Sequence, residues 1–522
     1  MKNQRNNFIA RLENENWDIV VIGGGATGLG TALDAATRGL KTLLIEQHDY
    51  AKATSSRSTK LVHGGVRYLE RGDVLMVREA LIERGRMLRN APHLVVDMRF
   101  IIGAYRWWER IFYTIGLTFY DILAGSLGFG RSLPLSKKTV IKDIPQILQK
   151  NLRGGIVYHD GQFDDARMAT TLMLSAIDAG AVCLNYVKAI GLTKDHNGKI
   201  CEVKARDEIE GNEYTIKTKS VINCTGIFVD EIMMMDTPEA SKKVRPSRGV
   251  HLVVDKSFLG GNNALMIPKT VDGRVLFGVP WHNKVILGTT DIPVEHECLE
   301  PKASEEEIGF ILEQAGKYLT KKPTRKDILC VYAGLRPLAA PSSQDDTKKT
   351  KEISRSHKIY QSKSGLISIT GGKWTTYRAM AEEVVDIAVK NIGANVGKSK
   401  TANLKLHGYK TDVDRSKWDY VYGSDITEIE KIISENPEHD KLLHPNYTFK
   451  VAHVIFAARK EQALSVEDVL ARRVRLMILD ARAAIEIAPK VAEILAKELG
   501  KDDAWKSEQI ESFNLISSRH LV

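Results

Sequence analysis

The sequence predicts an α/β (α+β) protein of two or three domains: a dinucleotide-binding domain, a mixed-sheet domain and a C-terminal helical domain. Three observations carry this reading. A knot of glycines lies between two apolar runs in "VVIGGGATGLGTALDAATRGLKTLLIE", residues 20–46. Short β-rich runs fill the middle of the chain, and strands nearly vanish beyond about residue 400. The chain has 522 residues, too many for one compact core.

Residues 1–17 are polar and contain acids, so they read as a short extension rather than a secretory signal or transit peptide. The strand "WDIVVI" then enters a G-x-G-x-x-G turn made by Gly23, Gly25 and Gly28. The first glycine permits the tight turn, the second lets backbone approach a pyrophosphate, and the third lets the helix pack closely. Glu46 closes the next strand, where a carboxylate can accept both hydroxyls of an adenosine ribose. The unit is Rossmann-like, and it does not by itself separate NAD from FAD.

Next comes the most apolar and aromatic stretch, "RFIIGAYRWWERIFYTIGLTFYDILAGSLGFG", within a block from 99 to 150 read as an aromatic helical insertion. Arg106, Glu109, Arg110 and Asp121 interrupt it, and its uncharged run is far short of the ~20 residues a spanning helix needs. A transmembrane helix is excluded. A buried helix pair is favoured over interfacial docking through Trp107 and Trp108.

From 151 to about 370 the runs "GIVYHD", "KICEVKARD", "EYTIKTKSVINCTG", "HLVVD", "RVLFGVP", "KVILGTTD" and "LISITGG" suggest antiparallel sheet interleaved with helices. The expected division is a discontinuous nucleotide domain (18–98, 151–240 and 355–395) and a substrate-binding sheet domain (241–354). Residues 340–352 read as an exposed charged loop. Residues 400–522 form a separate helical domain, with Ser465 and Asp468 spaced as a capping-box variant. Its basic run "ARRVR", Arg472, Arg473 and Arg475, is a surface for an acidic partner or, preferred, a solvated face or domain contact.

Composition is that of a well-cored protein, with 43% hydrophobic and 27% charged residues. The net charge of +10 favours anionic partners without choosing among them. The lysines and arginines are dispersed, which argues against nucleic acid. Five scattered cysteines form no C-x-x-C, so no metal site or disulfide framework is expected.

The choice between NAD and FAD comes from further along. "ATSSRSTKLVHGG", residues 53–65, is dense in hydroxyls and glycine, suited to a pyrophosphate and a flavin. "SVINCTG" is a second apolar strand ending in Thr-Gly. "LISITGGKWTTYR" then brings a strand, a glycine pair and a helix from Trp374 back to the site. A second helix N-terminus suits a long cofactor touched at both ends, which favours FAD.

Seven stretches in order, "GGGATGLGTALDAATRGLKTLLIE", "TSSRSTKLVHGGVRYLE", "YHDGQFDDAR", "VPWHNKVILGTTD", "YAGLRPL", "GGKWTTYR" and "EDVLARRVRLMILD", resemble the FAD-dependent, quinone-linked glycerol-3-phosphate dehydrogenases. They span residues 20 to about 482. The resemblance implies an FAD-binding domain of the glutathione-reductase/D-amino-acid-oxidase type. Departures occur at Ile227-Phe228, where Pro-Trp is common, and at Ser356 after Arg355, where Asp is frequent.

The implied reaction oxidises sn-glycerol 3-phosphate to dihydroxyacetone phosphate, with hydride passing from C2 to flavin N5 and electrons onward to a membrane quinone. By the resemblance Arg67, Tyr68, Thr289, Arg336, Arg355 and Lys373 bind substrate. His63 and His251 are alternative bases, and Arg336 is an electrostatic stabiliser of the alkoxide. FAD would be held by Gly23, Gly25, Gly28, Glu46, Ser55, Ser56, Thr59, Lys60, His63, Val187, Gly226, Gly372, Lys373 and Trp374. The expected setting is cytoplasmic, peripheral on the inner face of the cell membrane, with a homodimer left open. Alternatives are an oxygen-using glycerol-3-phosphate oxidase, an amine oxidase related to glycine and D-amino-acid oxidases, and a tRNA-binding flavoprotein.

Overall fold

The computed structural model describes residues 2–69, 72–340 and 356–522, leaving Arg355 and nearly all of the charged loop at 340–352 outside the described residues. The two apolar runs of the opening motif become the parallel strands Ile19–Ile22 and Thr42–Ile45, buried along their whole length. Continuous apolar runs of this kind suit a sheet covered on both faces. Helix Ala26–Thr37 joins them. Val221–Asn223 and Ile367–Thr370 extend the sheet on one side and Val182–Leu184 on the other, with Lys358–Gln361 as an antiparallel edge.

A second, larger sheet of mixed direction carries the other half of the cleft. Its spine is the pair Val244–Asp255 and Ile328–Ala339, antiparallel over nearly their full length. Each sheet packs on its own helices: Leu44 meets Leu29 and Val384 of helices Ala26–Thr37 and Tyr377–Ile392, and Val250 and Leu287 share a core with Ile311 of helix Glu305–Gly316.

Three expectations need correction. The block 99–150 is not helical throughout, because "RFIIGA" belongs to strand Val96–Ala104, which pairs antiparallel with Gly154–Gln162 inside the large sheet. Gly154–Gln162 and Leu61–Val62 fall in the segments expected to form the nucleotide domain, yet they bond into the second sheet. The favoured buried helix pair is instead one helix, Glu109–Ala124, lying on the surface. It buries only Leu117, Tyr120 and Ala124, a stripe at i, i+3 and i+7, while Ile111, Phe112, Ile115, Phe119 and Ile122 are exposed. No helix among the described residues is long and apolar enough to cross a membrane.

The C-terminal part is helical as expected, but it is not a separate body. Its Val474, Leu476 and Ala484 share a core with Val253, Ile286 and Tyr332 of the large sheet. Tyr422 and Phe456 join the core beneath helix Ala26–Thr37. The Ser465–Asp468 box forms: Ser465 Oγ accepts from the Asp468 N–H, and Asp468 Oδ2 from the Ser465 N–H.

Candidate active site

A cleft of about 410 Å³ opens between the two sheets, and its lining includes Gly23 and Glu46 as well as Arg336, Arg274 and Lys373. The glycines of the opening motif behave as their spacing predicts. Gly23 has φ +110°, and a Cβ on Gly28 would stand 1.9 Å from the Gly23 carbonyl oxygen. A Cβ on Gly25 would meet Ser55 Oγ at 3.2 Å. Helix Ala26–Thr37 starts at Gly25, which has no side chain of its own to cap it, and its positive N-terminal end faces the cleft. Ser55 Oγ accepts from the Ala26 N–H at 3.0 Å, tying the hydroxyl-rich loop to that helix start.

Glu46 is aimed by backbone. Its carboxylate accepts from the Gly24 N–H at 2.6 Å and the His48 N–H at 2.8 Å. Burial raises its pKa despite these two donors, which makes hydroxyl donors from a ribose welcome there. The Val187 N–H bonds the Glu46 carbonyl, and Val187 to Ala189 line the cleft. The glycine cradle, the helix N-terminus and the aimed carboxylate fit an ADP moiety.

The returning chain lines the cleft as well. Gly226, Gly371 and Gly372 adopt φ of +62°, +82° and +75°. The turn Trp374–Thr376 leads into helix Tyr377–Ile392, and Trp374 Nε1 donates to the Ser55 carbonyl at 2.8 Å. Ile227-Phe228, the departure from the expected Pro-Trp, forms a short turn on the cleft wall with Ile227 buried.

Arg336 projects from strand Ile328–Ala339 into the cleft, half-buried across Gly249, where a Cβ would stand 2.4 Å from the guanidinium. It donates to Asp291 Oδ1 at 3.3 Å, Thr289 Oγ1 at 3.2 Å and the Thr290 carbonyl at 3.1 Å. Thr289 therefore aims the arginine. His63 lines the cleft half-buried, its backbone fixed to Thr375 Oγ1. His251 is buried beneath Thr59, sharing a 2.8 Å hydrogen bond with its hydroxyl and stacked on Tyr332 at 4.7 Å. Burial, with Lys60 and Arg336 adding like charge, holds the His251 pKa well below that of an ordinary histidine. Burial thus favours neutral His251 as a hydrogen-bonding partner, and both His251 and His63 line the cleft.

Three predicted cofactor residues do not line the cleft: Gly28 packs against the Gly23 carbonyl within the turn, and two others point away. Ser56 and Lys60 are not among the residues lining the cleft. Lys60 is buried against Asp165 at 2.7 Å and donates to the Ser56 carbonyl, and burial pulls its pKa to about 8 against that carboxylate. Asp165 also receives Arg475 and the Ser58 hydroxyl, so this pair anchors the loop from below. The "ARRVR" run is likewise no exposed surface. Arg472 meets Asp49, Glu467 and Asp468, Arg473 meets Asp49 through both terminal nitrogens, and all three arginines are buried. The domain contact is what the structure contains.

Arg67 and Tyr68 lie on the short helix Val66–Leu69 beside the cleft, but their side chains, like Arg355, fall outside the described residues. Two further residues escaped the sequence reading. Arg274 lines the cleft, paired with Asp272 and packed over Phe310, and its Nη1 is buried with no hydrogen-bond partner among the described residues. Its only signal was an arginine after the "VDG" hairpin turn. Asp160, from "YHDGQ", is buried on the cleft wall beside Gly64. Among the described residues no cluster of acids, histidines and cysteines could hold a metal.

A family model described as FAD dependent oxidoreductase matches residues 18–387, and one described as the C-terminal domain of alpha-glycerophosphate oxidase matches 388–506. The mitochondrial glycerol-3-phosphate dehydrogenase of Homo sapiens is 40% identical over 531 residues, covering 95% of this chain and 72% of that protein. The Schizosaccharomyces pombe protein of the same name is 38% identical, covering 94% and 85%. The glycerol-3-phosphate dehydrogenase of Bacillus halodurans, solved with FAD, superposes with a TM-score of 0.81 at 27% identity, covering 99% of this chain and 97% of that one. An L-alpha-glycerophosphate oxidase from Mycoplasma pneumoniae shares the fold over 74% of the chain at a TM-score of 0.57 and 19% identity. FAD is the cofactor that the glycine cradle, Glu46 and the returning helix turn fit. The chain belongs to the FAD-dependent glycerol-3-phosphate dehydrogenases, within the wider FAD dependent oxidoreductase family.

Proposed function

We propose that the chain oxidises sn-glycerol 3-phosphate to dihydroxyacetone phosphate and passes the electrons to a membrane quinone. FAD, when bound, supplies the two-electron acceptor for the hydride of C2. The chain's own residues do the rest. His63 accepts the C2 hydroxyl proton. Arg336, held by Asp291, Thr289 and Thr290, faces the negative charge that grows on that oxygen. Lys373 and Arg274, with Arg67, Tyr68 and Arg355, clamp the phosphate dianion. Neutral His251 steadies Thr59 on the cleft wall.

The observation behind this reading is a cleft whose lining includes both the Gly23–Glu46 grip and the cations Arg336, Arg274 and Lys373. The test is anaerobic addition of sn-glycerol 3-phosphate to the purified yellow protein. The flavin absorbance bleaches; a spectrum that stays oxidised ends the substrate assignment.

The quinone part rests on helix Glu109–Ala124. Trp107 is 73% exposed, and Ile115 and Ile122 are 68% exposed, with exposed Leu75 and Leu133 on elements packed against the helix. Arg106 and Arg110 at the start of the helix, and Arg131, Lys137 and Lys138 on the segment around Leu133, are exposed. The two acids of the helix are turned to internal use. Glu109 accepts from the Tyr105 and Arg106 N–H groups, and Asp121 from Ser132. An apolar face accompanied by exposed basic residues suits the interface of an anionic bilayer on the cytoplasmic side. The second reading is an oxidase, favoured by the match of residues 388–506 to the alpha-glycerophosphate oxidase domain. Stoichiometric peroxide without reduction of a quinone analogue would select it.

A further inference from the structure

The inner stripe of the exposed helix leads straight to the cleft. Tyr120, on Glu109–Ala124, is 1% exposed, and its hydroxyl lies among three elements of the site. It donates to Asp160, at 3.1 Å from Oδ1 and 3.0 Å from Oδ2, and accepts from the Gly64 N–H at 2.8 Å. Gly64 directly follows His63 and precedes Gly65, which has φ +81° and lines the cleft. The fit is close: a Cβ on Gly64 would stand 2.5 Å from the Tyr120 hydroxyl and 2.6 Å from Leu81. Asp160 is held on its other side by Arg84, at 2.7 Å, from helix Val74–Asn90.

We infer that Tyr120 is a positioning residue. Its hydroxyl bridges Asp160 and the Gly64 N–H, so the seating of helix Glu109–Ala124 sets the geometry of the His63–Gly65 turn. The outward face of that helix is the proposed bilayer contact, so lipid docking and the setting of His63 are coupled through one side chain. This coupling rests on the membrane reading above; the positioning role does not. The logic is geometric. Without the hydroxyl, the Gly64 N–H keeps only Asp160 Oδ1 at 3.4 Å, beyond good hydrogen-bond length, and Asp160 loses a donor. The turn then has a looser set of partners beside the group that must meet the substrate hydroxyl.

The test is Tyr120→Phe, which keeps the ring and removes only the hydroxyl. The FAD-loaded variant is compared with the parent for flavin bleaching by sn-glycerol 3-phosphate, with and without phosphatidylethanolamine–phosphatidylglycerol vesicles. The bleaching rate constant falls about tenfold in solution, equivalent to about 1.4 kcal/mol, while the substrate concentration for half-maximal rate stays nearly the same. Vesicles accelerate the parent and leave the variant slow, although both sediment with them. A variant that bleaches at the parent rate overturns the positioning role. A slow variant that regains the parent rate on vesicles overturns the coupling. A parent that never sediments with vesicles overturns the membrane reading instead, and the rate in solution still decides the role of Tyr120.

Discussion

The cleft and the seam beneath it both gather arginines, and they use them in opposite ways. In the seam every cation meets a carboxylate in a buried setting: Arg472 and Arg473 on Asp49, Arg167 on Glu461, and Lys60 and Arg475 on Asp165. In the cleft, among the described residues, Arg336 bonds the Thr289 and Thr290 oxygens and the Asp291 carboxylate that Ser247 shares, Arg274 pairs with Asp272, and both arginines are only half-buried. The seam is neutralised from within and holds elements together. The cleft carries its cations on the wall of a space that an anion can enter. The difference lies in the partners, not in the residue type.

That contrast can be broken from either side. The largest effect belongs to Asp49→Ala, which leaves Arg472 and Arg473 buried with a missing counter-charge. Loss of about 3–5 kcal/mol is expected, seen as a much lower unfolding temperature for the FAD-loaded protein. An unchanged unfolding temperature would mean that the seam is not what holds the C-terminal helices to the nucleotide domain. Next, Arg336→Ala lowers kcat/KM by a factor of ~10²–10³ on glycerol 3-phosphate, about 2.7–4 kcal/mol, with little change in unfolding temperature. A large loss of stability there would make Arg336 a seam residue in disguise.

The smallest effect sharpens the seam at its most exposed point. His407 bridges Asp178 of helix Asp165–Asp178 and Asp425, at 2.6 and 3.0 Å. Burial opposes its charge, but the two carboxylates prevail and raise its pKa from 6.5 to about 10. The charged form is therefore favoured by folding, so this stabilisation is complete below pH 6.5 and is lost as pH rises toward about 10. The parent's unfolding temperature falls over that range, modestly because the pair is partly solvated. His407→Gln flattens the slope; a slope that survives the substitution assigns it to another group.

Much of the cleft was legible in the sequence, because a glycine turn and a terminal carboxylate act through local geometry. Gly23, Gly25, Gly28, Glu46 and the Gly372–Trp374 return stand where their spacing put them. What sequence could not show was sidedness. The hydroxyl-rich loop at 53–65 sends Ser55 and Thr59 to the cleft but Ser56 and Lys60 to Asp165 and Arg475 below. The aromatic stretch was apolar enough for a core, and hydrophobicity alone does not say whether anything covers it. Helix Glu109–Ala124 has a buried stripe only one residue wide per turn, so most of its apolar surface remains outside. Arg274 was hidden because a strand-end arginine has no pattern of its own.

Asp49 and its partner Arg473 are 424 residues apart in the chain. On a ribosome adding about 5–20 residues per second, the nucleotide strands emerge long before either guanidinium that neutralises Asp49. Until then the carboxylate next to the Glu46 turn must stay hydrated, and the loop that carries Ser55 and Thr59 lacks its floor. A nascent chain that stops before Arg472 holds the glycine motif but lacks all three guanidiniums that reach Asp49 and the Ser56 carbonyl.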